Sequence, residues 1–256
     1  MSNPSFNAQI ETVIEKLSTA KSVVVFTGAG VSAESGVPTF RDKGGLWTKF
    51  KPEELANFDA FMKNPDLVTS WYSHRRKIMS EVKPNPGHYA IAEFEKLFAD
   101  FCVITQNVDN LHRRAGSKKI FELHGNIERN YCIKCKKNHD LTGNYSEHAI
   151  KCDCGGLIRP DVVWFGEILP QDQYASAASA AENCDVFFSV GTSAVVYPAA
   201  YMIIYAKQSG AFIVEVNVDY TDLSHYANVT LIGKSGEILP AIIEKLNYFD
   251  SKRLNK

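Results

Sequence analysis

Residues 23–30 read VVVFTGAG, a continuous apolar run that ends in a turn of small residues. An apolar run without polar alternation is typical of a strand buried on both faces, as in a parallel sheet covered by helices. Further runs of this kind occupy residues 101–105, 186–190, 213–216 and 229–232. Helical patterns occupy residues 7–20, 88–100, 171–183 and 198–208. The alternation predicts an α/β fold with an open, doubly wound parallel sheet.

Small or polar residues follow each apolar run. The motifs are TGAG at 27–30, TQNVD at 105–109, GTS at 191–193, NVD at 217–219 and GKSG at 233–236. Ligands of open α/β sheets bind outside the carboxyl ends of the strands, so we expect these motifs to line one site.

The GAG turn at 28–30 suits a nucleotide phosphate. Glycine lets backbone amides approach the phosphate, and the start of the next helix adds positive potential. The third glycine of a dehydrogenase GxGxxG motif is missing, because Ala33 stands there, and no acidic ribose partner follows about 20 residues on. We therefore predict a nucleotide site without standard dehydrogenase geometry; the alternative is a merely tight turn.

Composition places the chain among ordinary globular proteins. It has 256 residues, 45% of them hydrophobic and 22% charged, and a net charge of −1. These values exclude long disorder and a small disulfide-dense scaffold. They give no electrostatic reason to expect nucleic acid or an anionic membrane as a partner. The amino-terminal stretch shows neither a secretory nor a transit-peptide pattern, so we expect a cytoplasmic protein.

Residues 186–206 carry no charge and are long enough to raise the question of a membrane helix. Gly191, Pro198 and three tyrosines interrupt this run. We predict a buried strand, a polar turn and a second element here, and no membrane association.

Two segments interrupt the α/β alternation, at residues 40–80 and 127–160. We expect these two insertions to form a small domain with a helical module and a cysteine-rich module. Residues 1–39, 81–126 and 161–256 then form the large domain.

The cysteines of the second insertion are spaced like metal ligands. Cys132 and Cys135 form a CxxC pair, and Cys152 and Cys154 form a CxC pair. Four thiolates in two close pairs suit tetrahedral zinc with no open position, which predicts a structural ion. The alternative is a set of four reduced cysteines without metal.

His124 precedes Gly125, which leaves room beside the ring for a ligand. Imidazole is the natural general base near neutral pH, so His124 is the candidate catalytic base. The alternative is a structural histidine, and the other six histidines keep that interpretation.

Taken together, these motifs closely resemble those of the sirtuins, the NAD-dependent protein-lysine deacylases. The shared stretches, in family order, are GAGVSAESGVPTFR at 28–41, TQNVDNLH at 105–112, LHG at 123–125, the four cysteines, RPDVVWFGE at 159–167, GTS at 191–193 and NVD at 217–219. The resemblance covers residues 23–239. The compact CxC pair departs from the wider spacing common in relatives.

The resemblance implies a Rossmann-like NAD-binding domain, a small zinc domain with one structural Zn²⁺, and a cleft between them for acyl-lysine. It assigns NAD binding to Gly28, Ala29, Gly30, Ser32, Phe40, Arg41, Trp47, Gln106, Asn107, Asp109, Gly191, Thr192, Ser193, Asn217, Asp219 and Ser235. Val163, Trp164 and Phe165 are expected to grip the lysine stem between strand-like backbones, a form of β-augmentation.

The implied reaction consumes NAD. The acyl oxygen of the lysine attacks the ribose carbon as nicotinamide leaves, and His124 takes a proton from the ribose hydroxyls. The expected products are nicotinamide, free lysine and an acylated ADP-ribose.

Tyr72 and Arg75 indicate the acyl class. They are three residues apart, so on a helix they share a face, and an Arg fork beside a phenol suits a carboxylate. Together with Ala33, they resemble the sirtuin class that removes succinyl and malonyl groups as well as acetyl. The alternative is a solvated basic patch, because Arg76 and Lys77 follow directly.

Other functions compete with this prediction. A dehydrogenase requires a complete GxGxxG with a downstream acid, and a zinc-knuckle nucleic-acid binder requires basic and aromatic residues around the cysteines. Mono-ADP-ribosyl transfer to protein and an acetyl-only deacetylase stay open. The expected partners are acylated lysines of other proteins, and the oligomeric state is open, with a monomer favoured.

Overall fold

The computed structural model describes residues 4–39 and 51–254. Its main sheet contains six strands in the order β3-β2-β1-β7-β8-β9, and every neighbouring pair is parallel. These strands are β1 (Ser22–Thr27), β2 (Asp100–Thr105), β3 (Ile120–Glu122), β7 (Val186–Val190), β8 (Phe212–Asn217) and β9 (Val229–Ile232). The predicted α/β fold with a doubly wound parallel sheet is confirmed.

Both faces of the sheet are buried, as the continuous apolar runs predict. In β1, Val23 and Val25 belong to one core cluster, and Val24 and Phe26 belong to the other. The first face is covered by α1 (Pro4–Leu17), α6 (Pro86–Leu97) and α10 (Ser235–Leu254), and the second by α8 (Gln171–Glu182) and α9 (Tyr201–Gln208).

The strand order places a ligand crevice at β1. Chain order runs outward from β1 through β2 to β3, and then restarts at β7 on the other side of β1. Such a reversal opens a crevice at the carboxyl ends of the central strands. The short helices α2 (Ala29–Ala33) and α7 (Leu111–Ala115) begin at this edge of the sheet.

A smaller antiparallel sheet has the order β5-β4-β6 and lies next to a helical module. Its strands are β4 (Gly125–Cys132), β5 (Asn138–His139) and β6 (Ile158–Val162), and the helices are α3 (Pro52–Leu55), α4 (Phe58–Lys63) and α5 (Pro65–Glu81). Strands β4 and β6 each run across a predicted domain boundary. The division into two domains remains a prediction.

Helix α5 is tied to the small sheet through Arg76. Its buried guanidinium donates to Asn130 Oδ1 on β4 at 3.3 Å and to the Asn144 carbonyl oxygen at 3.4 Å. Arg75 is also buried, so neither arginine belongs to a solvated basic patch. Lys77 is exposed, and the assignment of Tyr72 and Arg75 to an acyl carboxylate remains a prediction.

The uncharged stretch 186–206 forms β7, a turn and the start of α9, as predicted. Within residues 4–39 and 51–254, no helix combines the length and the apolar character needed to cross a bilayer. The cytoplasmic location stays a prediction.

Candidate functional site

Two cavities meet at the carboxyl edge of the main sheet. The strand-end cavity, about 310 Å³, lies beyond β1, β7 and β8, and the α5 cavity, about 210 Å³, lies between the sheet and helix α5. Gln106, His124 and Val196 line both. A ligand in one cavity therefore reaches a ligand in the other at His124.

Most of the predicted NAD-binding residues line the strand-end cavity. They are Gly28, Ala29, Gly30, Gln106, Asn107, Gly191, Thr192, Ser193, Asn217 and Asp219. Thr39 and Val218, which belong to the quoted stretch 28–41 and to the NVD motif, also line it. Val196, Tyr220 and Thr221 line it as well and were not predicted from the sequence; Tyr220 and Thr221 directly follow the NVD motif, which was the available signal.

Hydrogen bonds tie three of the strand-end motifs together. Gln106 Nε2 donates to Thr192 Oγ1 at 2.9 Å, and Asn217 Nδ2 donates to the Thr192 carbonyl oxygen at 3.0 Å. The loops after β2, β7 and β8 thus form one preorganised wall of the cavity.

The glycines after β1 are required by a close approach of protein backbone. A Cβ on Gly28 would lie 2.6 Å from Thr192 Cβ, and a Cβ on Gly30 would lie 2.8 Å from Gly191 Cα. The Gly30 amide donates to the Gly191 carbonyl oxygen at 2.8 Å. The sequence predicts either a phosphate-binding turn or a merely tight turn at these glycines, and in the structure they let the turns after β1 and β7 touch.

Ser32 and Asp109 lie behind the cavity wall. Ser32 Oγ donates to Asp109 Oδ2 at 2.7 Å, while Asn107 Nδ2 donates to Ser32 Oγ at 3.2 Å and to the Gly28 carbonyl oxygen at 3.0 Å. Burial raises the pKa of Asp109. This buried network fixes Asn107, whose other surface faces the cavity.

Several predicted residues lie elsewhere or outside the described residues. Ser235 donates to Glu34 Oε1 at 3.1 Å and lines neither cavity, and Ala33 is exposed and lines neither. Phe40, Arg41 and Trp47 fall outside the described residues. Their assignment to NAD remains a prediction.

His124 lies between β3 and β4 with a defined proton arrangement. Its Nδ1 is 3.0 Å from the Gln106 carbonyl oxygen, which can only accept, so Nδ1 carries the hydrogen and the neutral ring has its lone pair on Nε2. Burial lowers the pKa of His124, and the bond to Gln106 offsets part of that effect. The imidazole is therefore available as a base at neutral pH.

Gly125 fixes the backbone on which His124 stands. Its φ is +78°, and a Cβ there would lie 2.1 Å from the Asp161 carbonyl oxygen. The neighbouring Val163 amide donates to the His124 carbonyl oxygen at 3.0 Å. Only glycine lets β4 approach β6 closely enough to make this bond.

The α5 cavity contains the predicted acyl-recognition pair. Tyr72 and Arg75 both line it, and the Arg75 guanidinium carbon lies 4.8 Å from the centre of the Trp71 ring. Burial raises the pKa of Tyr72, so its hydroxyl stays protonated. The wall thus presents a cation and a phenol to whatever enters.

The segment 163–165 forms another wall of the α5 cavity. Val163 and Phe165 line it, and the Phe165 amide donates to the Ala56 carbonyl oxygen at 2.9 Å. Trp164 also lines it but is 1% exposed, because its indole points into the helical module. Its side chain thus has a different environment from those of its two neighbours.

The four cysteines come together as predicted. Their sulfur atoms all lie within 4.8 Å of one another, with Cys132 and Cys154 at 3.5 Å and Cys135 and Cys152 at 3.7 Å. A Cβ on Gly156 would lie 2.6 Å from Cys132 Sγ, so glycine keeps space beside the cluster. Four thiol ligands in a tight cluster fit a structural zinc ion.

Comparisons with known proteins agree with this geometry. The Sir2 family model matches residues 28–198. The chain is 51% identical over 235 residues to NAD-dependent protein deacylase 2 of Pyrobaculum aerophilum, covering 91% of this chain and 94% of that protein.

Two solved structures show what such folds bind. A complex of a Sir2 homolog with NAD superimposes with a TM-score of 0.86 at 44% identity, covering 93% of this chain and 94% of that one. A Sir2 variant with a deacetylated p53 peptide and 3′-O-acetyl ADP-ribose superimposes with a TM-score of 0.86 at 33% identity, covering 92% and 98%.

Proposed function

The chain belongs to the Sir2 family, and on that basis we propose that it is an NAD-dependent protein-lysine deacylase. The observation that supports this most directly is the meeting of the two cavities at His124 and Gln106. NAD in the strand-end cavity and an acyl-lysine in the α5 cavity would bring their reacting groups together there. With one water consumed, we expect the products to be nicotinamide, deacylated lysine and an acylated ADP-ribose.

NAD supplies a ribose carbon that becomes electrophilic as nicotinamide departs. The proposal assigns the chain three tasks toward it. Asn107, held by Ser32 and the Gly28 carbonyl, lines the strand-end cavity, where it would lie beside the ribose and nicotinamide. The cross-linked motifs at Gln106, Thr192 and Asn217 would hold the cavity in one shape for NAD.

His124 performs the third task, proton removal. Because Nδ1 is committed to the Gln106 carbonyl, Nε2 is the nitrogen that accepts a proton from a ribose hydroxyl. The lowered pKa keeps that nitrogen unprotonated at neutral pH. Substitution of His124 with alanine is expected to abolish turnover.

We further propose that the α5 cavity accepts acyl groups that end in a carboxylate, such as succinyl and malonyl. Arg75 is 6% exposed, and its guanidinium lies against the rings of Trp71 and Tyr72 at 4.8 and 5.7 Å. A carboxylate in the cavity would accept charge-assisted hydrogen bonds from the Arg75 guanidinium, and such bonds are worth about 1.5–3 kcal/mol. The Tyr72 hydroxyl would be a second donor. Acetyl-lysine fits the same cavity without using either group.

The test offers the zinc-loaded protein NAD with acetyl-, succinyl- and malonyl-lysine peptides. Nicotinamide release and peptide mass are measured for the wild type, His124→Ala and Arg75→Met, with Lys77→Met as an exposed charge control on the same helix. Arg75→Met is expected to lower kcat/KM for succinyl-lysine about 10–100-fold more than for acetyl-lysine. Equal losses for both peptides would refute the carboxylate assignment.

The same assay separates the remaining possibilities. An acetyl-only enzyme releases nicotinamide with acetyl-lysine alone. A mono-ADP-ribosyltransferase yields a protein that is heavier by one ADP-ribose and leaves the acyl-lysine intact. Cleavage of no NAD with any acylated peptide would overturn the proposed activity itself.

A further inference from the structure

Trp164 is buried, whereas its neighbours Val163 and Phe165 are half-buried and exposed at the wall of the α5 cavity. Its indole packs against Phe61 with ring centres 5.3 Å apart and against Tyr72 at 6.1 Å. The guanidinium carbon of Arg159 lies 3.4 Å from the centre of the indole. The ring is therefore enclosed on several sides.

An ion pair fixes the backbone of Trp164 as well. Arg159 donates to both carboxylate oxygens of Glu167, at 2.5 and 3.0 Å, and the Trp164 amide donates to Glu167 Oε2 at 2.8 Å. Arg159 also donates to the Val162 carbonyl oxygen at 2.7 Å. The indole thus has one orientation, set by groups on both sides of it in the chain.

That orientation aims the indole N–H at Tyr72. Trp164 Nε1 lies 2.8 Å from Tyr72 Oη, and because an indole nitrogen only donates, the phenol oxygen is the acceptor in this bond. The phenol keeps its own hydrogen, since burial raises the pKa of Tyr72. Among residues 4–39 and 51–254, no acceptor for that hydrogen lies within hydrogen-bonding distance.

We propose that Trp164 is a positioning residue for acyl selectivity. By occupying one side of Tyr72 Oη, its N–H turns the phenolic hydrogen toward the α5 cavity, where the carboxylate of a succinyl or malonyl group accepts it beside Arg75. This inference rests on the proposed carboxylate specificity. It extends that specificity to a residue whose side chain need not contact the acyl group.

Trp164→Phe tests the inference, because phenylalanine keeps a ring beneath Arg159 and removes only the N–H donor and the second ring. The loss of one orienting hydrogen bond is expected to lower kcat/KM for succinyl-lysine about fivefold more than for acetyl-lysine, mainly through KM. In a Tyr72→Phe background, the same substitution is expected to change the succinyl-to-acetyl ratio no further. Coupling of this kind is what a double-mutant cycle measures.

Phe61→Leu is the matched control. It disturbs packing on the same indole without touching the bond to Tyr72, so both activities are expected to fall by the same factor. A purely structural role for Trp164 predicts that Trp164→Phe behaves like Phe61→Leu.

Hydrogen exchange of the indole N–H, measured on the wild type and Tyr72→Phe, complements the kinetics and does not require the Trp164 variant. In ¹⁵N-tryptophan-labelled protein, the Trp164 indole N–H is expected to exchange with solvent more slowly in the wild type than in Tyr72→Phe. Equal exchange rates would overturn the inference even if Trp164→Phe failed to fold.

The outcomes separate the two proposals. If the wild type does not remove succinyl or malonyl groups, the proposed acyl class is wrong and this inference is wrong with it. If the wild type removes them and depends on Arg75, but Trp164→Phe keeps the wild-type ratio or shifts it equally without the Tyr72 hydroxyl, only the role of Trp164 is wrong.

Discussion

Replacement of Gly125 with alanine should damage both the stability of the fold and the placement of the candidate base. The residue has φ +78°, and an added Cβ would lie 2.1 Å from the Asp161 carbonyl oxygen. Ordinary contact begins at 3.4 Å, so the two strands have to separate by more than 1 Å or the backbone has to rotate. Either change moves His124, whose carbonyl is bonded to the Val163 amide one step along the same pairing.

The size of the effect follows from two contributions. A left-handed conformation costs a non-glycine residue about 1–2 kcal/mol. The movement needed to relieve the backbone overlap costs further free energy. The free energy of unfolding should therefore fall by at least about 4 kcal/mol, or roughly 8–16 °C in Tm at this chain length. A displacement of about 1 Å in a catalytic group can cost about 100-fold in rate.

Gly143→Ala provides the matched comparison. Gly143 has φ +74° but nothing within 4 Å of an added Cβ, and it lies away from both cavities. The free energy of unfolding of this variant should fall only by the conformational cost of about 1–2 kcal/mol, and its activity should be unchanged. Thermal denaturation and nicotinamide release measure the two effects, and equal Tm values and activities for both variants would refute the steric argument.

Three further predictions concern pH and metal. In a pH–rate profile, the acidic decrease in kcat/KM should have its midpoint below pH 6.5. The reason is that a base acts when unprotonated and that burial lowers the pKa of His124 from that ordinary value. A midpoint above pH 6.5 would contradict this. Burial lowers the pKa of His88 to about 4, so the unfolded chain takes up a proton near pH 6.5 that the folded one refuses. The free energy of unfolding should therefore decrease as pH falls from about 6.5 to 4, by about 3 kcal/mol from this residue. Measured by urea denaturation at several pH values, it should decrease less steeply with falling pH in His88→Gln than in the wild type. Cys135→Ser should bind zinc poorly and melt at a lower temperature than the wild type, and unchanged metal content by elemental analysis would exclude the four-cysteine site.

The fold was predictable because its strongest signal is local. A strand buried on both faces, such as β1, has to be apolar throughout, and the turn residues that follow it are small or polar for reasons that the same stretch contains. The metal-ligand pairs were predictable for a similar reason, since CxxC and CxC spacing is typical of zinc ligands, whereas the distances between the two pairs depend on the fold.

Contacts between distant residues were not predictable in this way. Gly30 is constrained by Gly191, and Ser235 donates to Glu34 across 201 positions of the chain. Neither pair leaves a pattern in the sequence, because each partner is an ordinary turn or cap residue by itself. Trp164 was interpreted by its position in a substrate segment, whereas its buried indole donates to the distant residue Tyr72.

The consecutive arginines of α5 link the small sheet to the wall of the α5 cavity. Arg75 faces the cavity while Arg76 reaches Asn130, two positions before the metal-ligand candidate Cys132. If the cysteine cluster moves, Asn130 is expected to move with it, which would displace Arg76 on α5 and the neighbouring guanidinium of Arg75. Under the proposed function, removal of zinc should abolish the preference among acyl groups before it stops NAD cleavage, because the strand-end cavity is lined mainly by loops of the main sheet.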